Sequence, residues 1–170
     1  MTTIEETLTK LHELKLTSMA KAVRELMDTA PGQQLSFDEK LGIVVDREWT
    51  DRDNRRLSRR IKEAKLSTRA SLDNVLCDPE RGVDKATIRG LANCQWVKSK
   101  HNVAVIGKTG VGKTYVATAL ADSACRMGYR SIFFRVPRLL EELALARASG
   151  VYASLLVRRY SKAHRPTNPL

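Results

Sequence analysis

Val103-Ala104-Val105-Ile106-Gly107-Lys108-Thr109-Gly110-Val111-Gly112-Lys113-Thr114 decides the reading of this 170-residue chain. Four apolar residues, three of them strong β-formers, run into G-x-x-x-x-G-K-T, the loop that cradles nucleotide phosphates. Each residue type has a physical job there. The glycines allow backbone angles that a side chain forbids, so the loop can turn its N–H groups towards phosphate oxygens. Lys113 brings a compact positive charge to the outer phosphates. Thr114 offers a hydroxyl to a magnesium ion, at the positive end of the helix that it opens. The run Gly107, Lys108, Thr109, Gly110, Val111, Gly112, Lys113 and Thr114 is therefore assigned to ATP, with Thr114 reaching magnesium through the nucleotide. A chance match in a chain this long is on the order of one in a hundred or rarer. A Gly-rich turn without a ligand is accordingly the weaker alternative.

The flanking pattern predicts an α/β unit. Val116, Ala119, Leu120, Ala124 and Met127 are spaced for a half-buried helix over 113–127, and Gly128 stands where a helix-ending left-handed residue is expected. Ser131 to Val136 reads as a second strand and Pro137 to Ala148 as a second helix. Strand 102–106, loop, helix, strand and helix form one βαβα unit with a right-handed crossover. The expected fold class is an incomplete α/β P-loop domain, preceded by a small all-α domain. The expected divisions are 1–70 (helical), 71–99 (connector with a short helix), 100–156 (partial P-loop domain) and 157–170 (a polar, disordered tail).

One component of a hydrolysing site is missing from the pattern. P-loop ATPases hold magnesium with a carboxylate at the end of a second apolar strand. After Thr114 the acids are Asp122, Glu141 and Glu142. Asp122 falls inside the helix after the loop, the two glutamates fall in the next helix, and the 131–136 run ends in Val136-Pro137. No catalytic residue is identifiable, and the expectation is binding without hydrolysis by this chain alone.

Composition sets the bounds. The formal charge of +11 points to an anionic partner. It is unevenly spread: residues 1–46 carry five Lys/Arg against eight Asp/Glu, residues 47–75 nine against five, and residues 76–170 sixteen against six. Cys77, Cys94 and Cys125 match no metal or disulfide spacing and read as reduced thiols. His12, His101 and His164 form no cluster. No apolar run reaches membrane-spanning length, and the N-terminus shows no basic-then-apolar leader. The expectation is a cytoplasmic protein with no membrane partner.

The first part of the chain reads as helical. Leu8, Leu11, Leu14, Leu16, Met19, Ala22, Val23, Leu26 and Met27 make an apolar stripe over 3–29, and Ala30-Pro31-Gly32 breaks it. Ser36 and Glu39 form a capping box for a second helix, whose apolar face is Phe37, Leu41, Val44, Val45 and Trp49; Trp49 is read as core rather than as a stacking platform. This helix runs on for roughly 25–30 residues or splits near Asp51-Arg52-Asp53. Arg52, Arg55, Arg56, Arg59 and Arg60 lie at three- and four-residue steps, with Lys62 and Lys65 beyond. They are candidates to track the phosphates of double-stranded DNA, or they form a solvated face partly neutralised by Asp51, Asp53 and Glu63. Residues 66–84 carry turn signals, and Asp84 caps a short helix over 85–93.

Five segments in order point to a family: Leu35-Ser36-Phe37-Asp38-Glu39, Asp46-Arg47-Glu48-Trp49-Thr50, Asn54-Arg55-Arg56-Leu57, Gly107 to Thr114, and Pro137-Arg138-Leu139-Leu140-Glu141-Glu142-Leu143. Together they resemble the IstB-like family, the ATP-binding helper proteins of a class of bacterial insertion sequences. These are similar in their AAA+ ATPase domain to helicase loaders and the initiator DnaA. The resemblance covers roughly residues 10 to 156. It implies ATP and magnesium at Gly107–Thr114, DNA and the transposase of the same element as partners, and a homo-oligomer in the complete family protein. Past Leu156 the family continues into an apolar strand ending in acids, where this chain has Arg158-Arg159-Tyr160-Ser161-Lys162-Ala163-His164. That departure is expected of a C-terminally truncated or frameshifted member.

Without later strands, Asn102–Ile106 is expected to lack ladder partners. Each buried unpaired backbone group costs about 1–3 kcal/mol, against the roughly 5–15 kcal/mol that holds a domain together. A marginal nucleotide half beside a stable helical half is the expectation. Two other functions compete with an ATP-binding transposition helper. One is an inactive fragment that binds DNA or intact family members without turnover. The other is an unrelated P-loop enzyme such as a small-molecule kinase, which leaves the N-terminal segments unexplained.

Overall fold

The computed structural model describes residues 3–77 and 84–157. The chain divides into two compact units, Met1–Arg56 and Leu57–Leu170. The sequence expectation for residues 78–83, with their Asp78-Pro79 and Arg81-Gly82 turn signals, and for the tail from 158 onward lies outside the described residues.

The first unit is built from α1 (Ile4–Glu13), α2 (Thr17–Asp28), α3 (Ala30–Gln34) and most of α4 (Phe37–Ala64). Thr3 and Glu6 open α1 with a reciprocal capping box. The stripe over 3–29 is two helices rather than one. Lys15 takes a left-handed conformation (φ 59°); its N–H donates to His12 O and the N–H of Leu16 to Leu11 O. That double bond pattern closes a helix end, here on a lysine that carries no glycine or asparagine signal.

The Ala30-Pro31-Gly32 breaker is itself the start of α3, since proline in a first helical turn has no N–H to lose. Gly32 is buried because α3 turns tightly against α2: a Cβ there would lie 2.4 Å from Leu26 O. The Ser36–Glu39 capping box is present, Glu39 accepting the Ser36 N–H at 2.8 Å and Ser36 Oγ accepting the Glu39 N–H at 3.3 Å. α4 is one helix of 28 residues, not two. Of its expected apolar face only Val44 is buried; Phe37 is 76% and Trp49 56% exposed, so Trp49 is not core.

The second unit contains the last turns of α4, a short 3-10 turn (Leu72–Asn74), α5 (Lys85–Ala92), α6 (Gln95–Lys98), α7 (Lys113–Arg126) and α8 (Val136–Ala148), with 152–157 also helical. Asp84 caps α5 by accepting the Thr87 N–H at 2.7 Å. Gly128 ends α7 at φ 93°. The buried residues are small apart from Ile88 and Leu120: Ala64, Cys94, Thr118, Ala119, Ala124, Cys125 and Ala146. Thr118 is satisfied by donating to Thr114 O at 2.7 Å. All three cysteines are free thiols.

The expected α/β fold class is overturned. No strand exists among the described residues. A strand needs a ladder as well as an apolar run, and neither 102–106 nor 131–136 has one. Phe133 donates its N–H to Ala64 O at the end of α4, and Ser131 Oγ donates to Ala121 O of α7. Residues 102–106 are exposed apart from half-buried Val103, and Ile106 is 92% exposed.

Candidate nucleotide-binding site

The loop Gly107–Thr114 follows the 102–106 segment and runs into the first turn of α7. Its shape follows from two glycines in the left-handed region, Gly110 (φ 86°) and Gly112 (φ 94°). Gly112 is the N-cap of α7 and supplies no side-chain cap. The helix ladder starts with Val116 N–H on Gly112 O. The N–H groups of Lys113, Thr114 and Tyr115 therefore stand at the helix start without helical acceptors, where the dipole favours an anion.

Lys113 is fixed over this opening. Its Nζ donates to Gly107 O at 2.8 Å and to Lys108 O at 2.6 Å. An ammonium has three protons, so a third donor remains for a phosphate oxygen. Gly107 lies close under Val111, whose Cγ2 would meet an added Cβ at 3.1 Å. Thr114 is exposed, as are Lys108 and Thr109. These features fit a polyphosphate. They supply no carboxylate for a metal: Asp122 is paired with Arg126 at 2.7 Å, and among the described residues no three His, Cys, Asp or Glu side chains converge. A magnesium ion here would depend on the Thr114 hydroxyl and the nucleotide's own oxygens.

The five arginines of α4 do not form a uniform ladder. Arg52 Nε donates to Glu48 at 2.7 Å, and Arg55 lies 3.6 Å from the same carboxylate while donating to Asp51 O. Arg60 Nη1 donates to Cys125 O at 2.9 Å. Arg56 and Arg59 have no hydrogen bond or ion pair among the described residues. Glu48, which the spacing of charges did not single out, is the organising group. It is buried at 4% exposure, and its Oε2 accepts the N–H groups of Ser18 and Met19 at the start of α2. Burial pushes its pKa up, but the Arg52 hydrogen bond and the two backbone donors outweigh that and hold it below the ordinary value. An apolar concavity of about 430 Å³ lies on the same unit, between Val23, Leu26, Phe37 and Leu41. No helix among the described residues is long and apolar enough to cross a membrane.

Residues 9–164 match the family described as IstB-like ATP binding protein, a match that extends beyond the 10–156 span expected from the sequence. A Pseudomonas fluorescens protein named for ATP binding in the insertion sequence IS1162 is 42% identical over 153 residues, 89% of this chain and 66% of that protein. A Sinorhizobium fredii protein named for ATP binding in an insertion sequence is 43% identical over 149 residues, 88% of this chain and 61% of that protein. The corresponding IS21 protein of Pseudomonas aeruginosa is 31% identical over 137 residues, 81% of this chain and 52% of its own length. The chain thus spans about half to two thirds of the relatives it matches.

Proposed function

Because the chain belongs to the IstB-like ATP-binding protein family, we propose that Gly107–Thr114 binds ATP and that the protein serves as a helper in insertion-sequence transposition. The observation that carries the reading is Lys113, whose ammonium is tied to two loop carbonyls beside the uncapped start of α7. Gly107 to Gly112 would wrap the phosphates with backbone donors, Lys113 would neutralise the outer ones, and Thr114 would meet magnesium held chiefly by the nucleotide. Bound ATP would supply a triphosphate that orders the loop. The acids after Thr114 are Asp122, paired with Arg126, and Glu141 and Glu142 within α8, and the proposal is binding without turnover by this chain alone.

Duplex DNA and the transposase of the same element are the proposed partners, with self-association proposed for the full-length family protein. Arg56 and Arg59 are the α4 arginines best placed to meet phosphates, because Arg52, Arg55 and Arg60 already hold internal acceptors. A titration with a fluorescent ATP analogue and magnesium tests the nucleotide reading. Saturable micromolar binding that Lys113→Ala weakens at least tenfold supports it; binding unaffected by that change removes it. Release of phosphate that depends on Lys113 would contradict the absence of turnover.

A second reading, interaction without nucleotide, is favoured by one observation. Val105 and Ile106 are 38% and 92% exposed, so the loop's approach is not buttressed by a sheet. It predicts DNA binding that is indifferent to Lys113→Ala and to added ATP.

A further inference from the structure

We infer that Tyr115 is a positioning residue: its phenol ties the first turn of α7 to the turn at 71–74, so that a polyphosphate held by the loop also orders that turn. The inference rests on the reading of Gly107–Thr114 as an ATP site and adds a link from that site to the connector. The two contacts meet in one residue. The backbone N–H of Tyr115 is among those at the start of α7 without helical acceptors. Its half-buried side chain reaches Ser71, accepting the Ser71 N–H at 3.4 Å and donating to Ser71 O at 3.5 Å. A phenol is donor and acceptor at once, so one hydroxyl engages both backbone groups of a single residue. Both bonds are long and each is weak. What the pair specifies is the place of Ser71, since phenylalanine would fill the same space without either bond.

Thr118, three residues on and on the same face of α7, makes a parallel connection. It is fully buried, and its one proton goes to Thr114 O at 2.7 Å. Ser67 Oγ lies 3.5 Å from Thr118 Oγ1, so the hydroxyl of Ser67 is the donor in that contact. Two hydroxyls of α7, one directly after Thr114 and one bonded to its carbonyl, thus meet the chain at 71 and 67.

The turn does not depend on Tyr115 to form. Ser71 Oγ accepts the Asp73 N–H at 3.3 Å and donates to Asp73 Oδ2 at 3.1 Å, and the Val75 N–H closes on Leu72 O. Its placement against α7 is a separate matter. A concavity of about 900 Å³ is lined by Leu66, Ser67 and Asn74 from the connector and by Asp122 and Arg126 from α7. A segment beside so much open space has few contacts to restrain it, and the hydroxyls of Tyr115 and Thr118 supply hydrogen-bonded ties across to it. An anion that fixes the first turn of α7 fixes the phenol, and the turn at 71–74 loses freedom with it.

Hydrogen exchange on the full chain, with magnesium and either ATP or inorganic tripolyphosphate, tests the link. Tripolyphosphate has the phosphate chain without sugar or base, so protection that it gives at 71–75 does not come from contact with a nucleoside. Both ligands should slow exchange in peptides covering 110–116, and in those covering 71–75 by about threefold, the worth of one weak hydrogen bond. Tyr115→Phe should keep the protection at 110–116 and lose that at 71–75, with an unchanged thermal midpoint showing that the variant is folded. Should the variant not fold, the tripolyphosphate result on the wild type decides. Protection at 110–116 with none at 71–75 overturns the link and leaves the ATP reading standing. Protection at 71–75 by ATP but not by tripolyphosphate, or undiminished in Tyr115→Phe, overturns it as well. If neither ligand protects 110–116, the ATP reading falls and the link falls with it.

Discussion

The carboxylate of Glu48 in α4 caps the start of α2, its Oε2 accepting the backbone N–H of Ser18 at 3.0 Å across thirty residues of sequence. α2 begins without a local side-chain cap, because Leu16 occupies the capping position. Glu48 supplies from a distance what a serine or aspartate supplies locally, and places a negative charge at the positive end of the helix. Arg52 then neutralises it from the next turn of α4. Replacing Glu48 with alanine leaves the buried Ser18 donor and the part-buried Met19 donor without their acceptor and should cost about 1–3 kcal/mol. Arg52→Ala, removing a half-exposed partner, should cost under about 1 kcal/mol. Urea unfolding monitored by helical circular dichroism reads both; equal losses for the two variants would show that Glu48 acts only as a surface ion.

The same group carries a pH dependence. The pKa of Glu48 is below its ordinary value of 4.5 in the folded protein, despite the opposing effect of burial. The folded state therefore binds fewer protons than the unfolded state around that pH, and stability rises with pH there. The contribution should be complete above pH 4.5 and should fade as pH drops through the lowered folded value. Glu39 and Asp84 are shifted the same way by their caps, to Ser36 and Thr87 respectively. The comparison that isolates Glu48 is thus wild type against Glu48→Ala, whose stability difference should shrink below pH 4.5. A difference that stays constant down to pH 2 would exclude the linkage.

Gly32 and Gly42 should respond oppositely to alanine. At Gly32 a Cβ would sit 2.4 Å from Leu26 O and 2.8 Å from both Leu26 Cα and Thr29 Oγ1. Two of those are backbone atoms, which cannot rotate aside, so Gly32→Ala should destabilise by about 1–3 kcal/mol. Gly42 is exposed in α4 with nothing within 4 Å of an added Cβ. Gly42→Ala restricts the unfolded chain and should stabilise by about 0.5–1 kcal/mol. Thermal melts of the two variants decide it, and a shift of the same sign in both would mean that α3 does not pack tightly against α2.

Much of the helical structure was legible because its signals are local. Ser36 with Glu39, Asp84 as the cap of α5, and Gly128 each act within four residues, and each was read from the sequence. The break at Lys15 was not, because a lysine in the left-handed region looks like any helical lysine. The two strands were misread for a related reason. Val103 to Ile106 and Ser131 to Val136 have strand-like composition, but a ladder depends on a partner that composition does not specify. The turn of the loop was legible because Gly110 and Gly112 take the left-handed conformation that their residue type permits. The arginines of α4 were legible as charges but not by the groups they touch. Nothing in their spacing shows that Glu48 takes up Arg52 and Arg55, or that the Cys125 carbonyl takes up Arg60.

The missing ladder gives the last prediction. An amide in a β ladder exchanges its hydrogen slowly because the bond must open first, whereas an exposed amide without one exchanges close to the free-peptide rate. Residues 104–106 are exposed and carry no ladder among the described residues, while Thr118, Ala119, Leu120, Ala124 and Cys125 of α7 are buried in helix. Hydrogen exchange on the full chain at neutral pH should label peptides covering 102–106 within seconds, and α7 peptides over residues 118–125 at least a hundredfold more slowly. Adding ATP with magnesium should slow exchange at the N–H groups of Gly110 to Tyr115, which the proposed phosphate site would engage, and leave 102–104 fast. Strand-like protection of 102–106 in the free protein would mean that this segment finds a ladder partner in solution, and that an apolar run beside a phosphate loop makes its strand after all.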